Sequence, residues 1–96
     1  MPRRAVDRIK AAIRAGTYDM TIHASEEMAE DDLDLTDVET SILGGKIVKS
    51  EKDDPRGTRY TIQGAGNGST TIVGTVGRFT ETGRYLIITV YRVAEA

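Results

Sequence analysis

His23 is the only histidine in the chain, and it stands at the head of a strongly acidic stretch. Imidazole is the one side chain whose unperturbed pKa lies near neutrality. It can take the proton of an RNA 2′-hydroxyl or return one to a leaving oxygen. That chemistry needs no metal, because the nucleophile is already on the substrate. The competing role is structural: a histidine at a helix start that bonds nearby backbone or the carboxylate of Glu26 or Glu27.

The stretch that follows, from Glu26 to Glu39, carries Glu26, Glu27, Glu30, Asp31, Asp32, Asp34, Asp37 and Glu39, with no basic residue. These are 8 of the 15 acidic residues, so the remainder carries about +6 against −8 here. A net charge of −2 therefore hides a dipolar molecule. Asp31, Asp32 and Asp34 could offer oxygens to a cation, but the spacing does not fit a calcium loop. An electrostatic docking surface for a basic partner, centred on Glu27, Glu30 and Asp31, suits the pattern better. The competing role is a solvated helix face. Acids near helix starts also favour the macrodipole, which accounts for Asp34 and Asp37 without a partner.

The basic residues divide into two groups. Arg3, Arg4, Arg8, Lys10 and Arg14 make a basic first helix that could pair with the acidic stretch, within the chain or between two copies. Arg78, Arg84 and Arg92 lie on or beside the last two strands, with Tyr85 and Tyr91 interleaved. Arginine and tyrosine on an open sheet face can hold phosphates and stack bases. On an unbroken strand, Arg84 and Arg92 share a face with Leu86, Ile88 and Val90, while Tyr91 points the other way. A single Arg-Tyr surface therefore requires a bulge. Gly64, Gly66 and Gly68 lack the following Lys-Ser of a phosphate loop and read as a hairpin.

Length and composition set the frame. Ninety-six residues suit one domain spanning 1–96, burying roughly two-thirds of its unfolded surface. There is no cysteine, hence no disulfide, thiolate nucleophile or Cys-based zinc site. No metal or cofactor is expected. No apolar run approaches the ~20 residues of a membrane span, and the cytoplasm is the expected compartment. A pI near 5.3 is not that of a dedicated nucleic-acid binder, although charge segregation weakens that objection.

Three helices are expected first. Val6, Ile9, Ala12 and Ile13 recur at helical spacing over 3–15, with Gly16 as the stop. A short extended piece, Tyr18–Ile22, precedes a second helix starting near Ala24. Asp34 and Asp37 approximate a capping box for a third helix, Leu35–Leu43, burying Leu35, Val38 and Ile42. The period then changes to two. Strands are expected from Ile47, over Arg59–Gln63, over Thr71–Gly77 and over Arg84–Arg92, with turns at Asp53–Gly57, Gly66–Gly68 and Glu81–Gly83. Both faces of the last strand are apolar or aromatic, as in a central strand. The fold class is α+β, with helices on one side of a mostly antiparallel four-stranded sheet.

The order of elements, with His23-Ala24-x-x-Glu27-Met28, Gly45-x-Ile47, Asp54-x-x-Gly57-x-Arg59-Tyr60-x-Ile62-x-Gly64 and the ending Ile87–Arg92, resembles the family named domain of unknown function 4258. That resemblance spans about Ile9 to Arg92. It implies kinship with toxins of the RelE, BrnT and MqsR type, a curved antiparallel sheet, an antitoxin protein as partner and a metal-independent ribonuclease. In that reading His23 is the acid or base, with Tyr60, Tyr91 and Arg92 completing the catalytic set and Arg59, Arg78 and Arg84 holding RNA. The family pattern has arginines where this chain has Glu27 and Asp31, which reverses the charge at both positions. The alternative is a non-catalytic module that binds a basic partner, or a second copy, through its acidic helices. Position separates the two. A nuclease needs His23 beside an arginine-lined cleft, whereas a docking module holds it inside the acidic field.

Overall fold

The computed structural model describes residues 4–52, 55–68 and 70–93. In chain order they form α1 (Ala5–Ala15), β1 (Tyr18–Met20), α2 (Ile22–Glu30), α3 (Leu35–Gly44), β2 (Lys46–Glu51), β3 (Arg59–Ala65), β4 (Ile72–Phe79) and β5 (Tyr85–Arg92). The expected contributions of Arg3, Asp53 and Asp54 to the first helix and first loop lie outside the described residues.

The three helices close as the local chemistry dictates. Gly16 ends α1 in the left-handed conformation, at φ 73°. The Thr21 hydroxyl accepts from Ala24 N at the head of α2, so this helix starts at Ile22 and not at Ala24. Asp34 and Asp37 form the reciprocal capping box of α3. Val38 and Ile42 are fully buried, but Leu35 is 45% exposed. Its first-turn place leaves it lining an open hollow beside Tyr18, Met20 and Met28.

The sheet has five strands, in the order β1-β5-β4-β3-β2. The expected count of four missed β1, whose three residues are too few to show an alternating pattern. β1 pairs with β5 in parallel, through Tyr18–Tyr85 and Met20–Ile87. The other three pairings are antiparallel. β5 is therefore an interior strand up to Ile87, and β4 is the middle one.

Helices α1, α2 and α3 cover one face of this sheet. Ile62, Val73, Thr75, Tyr85, Ile87 and Val90 meet Ile9, Ile13, Ala24, Val38 and Ile42 there, all buried. Phe79 and Tyr85 pack edge to face, with ring centroids 5.2 Å apart, and the Arg8 guanidinium lies 4.3 Å from the Phe79 centroid. Tyr18 donates to Glu39 at 2.7 Å, tying β1 to α3. Burial first, and then this bond, push the Tyr18 phenol up to about 12.

Two β-bulges interrupt the alternation. One lies at Val48 in β2, between the Ile47–Ile62 and Lys49–Thr61 pairs. The other lies at Ile88 in β5, between the Ile87–Gly77 and Thr89–Val76 pairs. Each reverses the facing of every residue beyond it.

The close approach of α3 to β3 rests on glycine. A Cβ at Gly64 would strike the Ser41 carbonyl oxygen and the Gly45 Cα, neither of which can turn aside. Gly64→Ala should therefore cost about 1–3 kcal/mol of stability. Urea unfolding checks this, and an unchanged midpoint would contradict the packing described.

Candidate nucleic-acid interface

The face of the sheet opposite the helices carries three cross-strand rows. Their membership follows from the pairing register. The first is Leu86, Arg78, Arg59 and Glu51, running from β5 to β2. The second is Thr89, Val76, Thr61 and Lys49. The third is Tyr91, Gly74, Gln63 and Lys46. Arg84 stands two residues before Leu86 on β5 and shares its face.

The bulges make this surface. Without the one at Ile88, Tyr91 would point toward the helices. Without the one at Val48, Lys46 and Lys49 would fall on opposite faces. Strict alternation separates Tyr91 from Arg84, and the bulge is the physical reason they share a face. Arg92 moves the other way, onto the helix side, and so leaves the arginine group expected from sequence.

Electrostatics within the rows are uneven. Arg84 grips Asp19 with two bonds, Nε to Oδ2 at 2.7 Å and Nη2 to Oδ1 at 3.2 Å, and also reaches the Tyr18 carbonyl. The guanidinium holds the Asp19 carboxyl below its usual range. Arg59 meets Glu51 at 3.3 Å, and Lys49 lies 3.9 Å from the same carboxylate. Arg78 differs from both arginines. It forms no ion pair among the described residues, although its Nε is buried. The guanidinium has no protein counter-charge, and an anion on this face would supply one.

Tyr91 is held in place for contact. Its ring lies over Gly74, where any Cβ would collide with it. Gln63 Nε2 donates to its hydroxyl at 3.2 Å. From Arg78 to the Tyr91 row is four residues along β4, roughly 14 Å at ~3.4 Å per residue.

His23 is elsewhere. It sits in the first turn of α2, 3.3 Å from Glu27 Oε1, and no arginine bonds it among the described residues. Tyr60 also lies on the helix side, opposite Gly77. The expected catalytic set of His23, Tyr60, Tyr91 and Arg92 is thus split between the two sides of the sheet. Lys46, Lys49, Thr61 and Gln63 join the open face without having been singled out from sequence. The spacing of Lys46 and Lys49 carries no signal unless the bulge is known.

Glu27 and Asp31 have a local explanation. β1 accompanies β5 only as far as Ile87, and Thr21 bonds the Ile87 and Ile88 carbonyls. Beyond that point α2 takes over the edge. Glu27 Oε1 accepts from Val90 N at 3.3 Å, and Asp31 Oδ2 accepts from Arg92 N at 3.0 Å. The Asp31 carbonyl also accepts from Arg92 Nη2 at 2.6 Å. The two carboxylates, four residues apart on one helix face, stand in for a missing strand. Arginine has no acceptor atom and could not do this. Glu30, grouped with them from sequence, is exposed.

The model of the family described as Domain of unknown function (DUF4258) matches residues 20–92. The chain belongs to that family. No curated protein and no solved structure matches it. The match begins at the end of β1 and stops with β5, so it takes in both bulges, α2 and all three rows, and leaves out Asp19. Among the described residues no group of three or more His, Asp or Glu side chains could hold a metal ion. No helix among them is long and apolar enough to cross a membrane.

Replacing Glu27 or Asp31 by alanine strands a backbone N–H of β5. Glu27→Ala, at a half-buried bond, should cost about 1–3 kcal/mol in urea unfolding, and Asp31→Ala, at an exposed one, about 0.5–1.5 kcal/mol. Glu30→Ala should stay within about 0.5 kcal/mol. Equal effects at all three positions would contradict the edge-covering role.

Proposed function

We propose that this protein binds single-stranded RNA on the open face of its sheet, as a member of the RelE-like class of RNase folds. The bulge at Ile88 carries the reading, because it puts Tyr91 on the same face as Arg59, Arg78 and Arg84. Guanidinium and ammonium groups take phosphates, and an exposed ring takes a base. The acidic residues of α2 and α3 lie on other elements, so an RNA strand on the open face is not opposed by them. His23, paired with Glu27 away from this face, has no part in the reading. Binding is assigned here, and His23-dependent cleavage is not.

A second reading has its own support. Ile22 is 80% exposed and Leu35 45%, and each adjoins acids that pair with no Lys or Arg among the described residues. A basic protein partner of antitoxin type would find both charge and apolar contact there.

Fluorescence anisotropy with a short labelled RNA, over a series of salt concentrations, separates the two. The log–log slope of affinity against salt should be about −2 to −3, as for three or four phosphate contacts to a single strand. Arg78→Gln should weaken binding and flatten that slope by about 0.7. Tyr91→Ala should weaken binding by about 1–3 kcal/mol with the slope unchanged. His23→Ala should alter neither. Absence of binding by the folded protein at low salt would discard the sheet-face reading and leave the acidic surface.

A further inference from the structure

One end of the open face is closed by a cleft that the rows themselves do not explain. Its volume is about 630 Å³. One wall is the 55–57 loop, with Arg56. The floor is Arg78, and the other wall is Thr80, Glu81 and Thr82, from the hairpin joining β4 to β5. We propose that this cleft is a phosphate-monoester site that anchors the phosphorylated end of a single-stranded RNA. The inference rests on the sheet-face reading and names the part of the RNA that the arginine end receives.

Three observations lead there. Arg78 is the cation of the first row that forms no ion pair among the described residues, whereas Arg59 and Arg84 each hold a carboxylate. The charge of Arg78 thus remains uncompensated beside a cavity. The Thr80 and Thr82 hydroxyl oxygens lie 3.0 Å apart. Whichever donates to the other, the acceptor keeps its own hydrogen for a ligand. The cleft therefore presents guanidinium and hydroxyl donors together, which is the complement of a multi-oxygen anion.

Position selects the end of a strand over its middle. β4 stops at Phe79, one residue beyond Arg78. A chain lying along the face from Tyr91 reaches Arg78 and meets the two loops. A terminal monoester also carries up to two charges, against one for an internal diester. That extra charge suits the Arg78 guanidinium, which has no ion pair among the described residues, with Arg56 lining the same cleft. Glu81, exposed on the rim, opposes it.

The test compares one RNA ten-mer in three forms: 5′-phosphate, 3′-phosphate and hydroxyl at both ends. Affinities are measured at low salt for the native protein, Arg78→Gln, Thr82→Val and Glu81→Gln, with each variant's fold checked by its amide NMR spectrum. One phosphorylated form should bind at least roughly tenfold tighter than the hydroxyl form. Which form it is identifies the end that enters. The preference should vanish in Arg78→Gln, shrink in Thr82→Val and grow in Glu81→Gln. It should also shrink below about pH 6, where the monoester loses its second charge. Equal binding of all three forms would overturn the cleft assignment and leave RNA binding by the sheet face standing. No binding of any form would overturn both.

Discussion

Strand β5 has to satisfy two different neighbours along a single edge, and most of the structure follows from that constraint. Up to Ile87 the neighbour is a strand, β1, with its regular parallel pairing. From Ile88 on it is a helix, which cannot supply a ladder of carbonyls. Side chains must provide the acceptors, and α2 provides them as Glu27 and Asp31. The bulge at Ile88 falls at the change of neighbour. It absorbs the mismatch and, in doing so, turns the rest of the strand over. Val90 then reaches the core, Arg92 reaches α2, and Tyr91 reaches the open face.

The charge pattern acquires a spatial meaning from the same arrangement. Part of the acidic stretch is engaged by the chain's own backbone, on the β5 edge and on the α3 cap. Sequence alone counts Glu27, Asp31, Asp34 and Asp37 as surface charge, but each accepts a backbone N–H. The opposite side of the sheet keeps its cations outward. Asp19 and Glu51 neutralise two of the arginines, and Arg78 is left between them with Arg59 beside it. Segregation of charge on this scale is sustained by topology: most of the acids belong to α2 and α3 on one face, and Arg59, Arg78, Lys46 and Lys49 to strands on the other. The basic first helix adds little to it. None of Arg4, Arg8, Lys10 and Arg14 pairs with α2 or α3 among the described residues, and Arg8 lies on Phe79 instead.

Local signals were legible in the sequence. The stop at Gly16, the Asp34–Asp37 capping box, the helix-to-strand change after Gly45 and the interior place of the first half of β5 all follow from residues a few positions apart. What escaped depends on contacts between distant segments. Tyr18–Met20 is a strand only because β5 lies beside it. Leu35 has the right spacing for burial, yet its turn lines an open hollow. The two bulges leave no local mark, so the parity of Lys46, Lys49 and Tyr91 could not be read. His23 drew attention by its chemistry, while Gln63 and Thr61 drew none. Of the residues singled out, Arg59, Arg78, Arg84 and Tyr91 share a surface, and His23, Tyr60 and Arg92 lie across the sheet from it.

The central claim is that the open face, and not the helix side, is the working surface. Amide chemical-shift mapping of the ¹⁵N-labelled protein, titrated with a short single-stranded RNA at low salt, tests it most directly. The account predicts shifts along Arg59–Gln63, Gly74–Arg78 and Thr89–Tyr91, with α2 and α3 unmoved. Shifts centred on His23, Glu26 and Glu30, with the three strands unchanged, would contradict it.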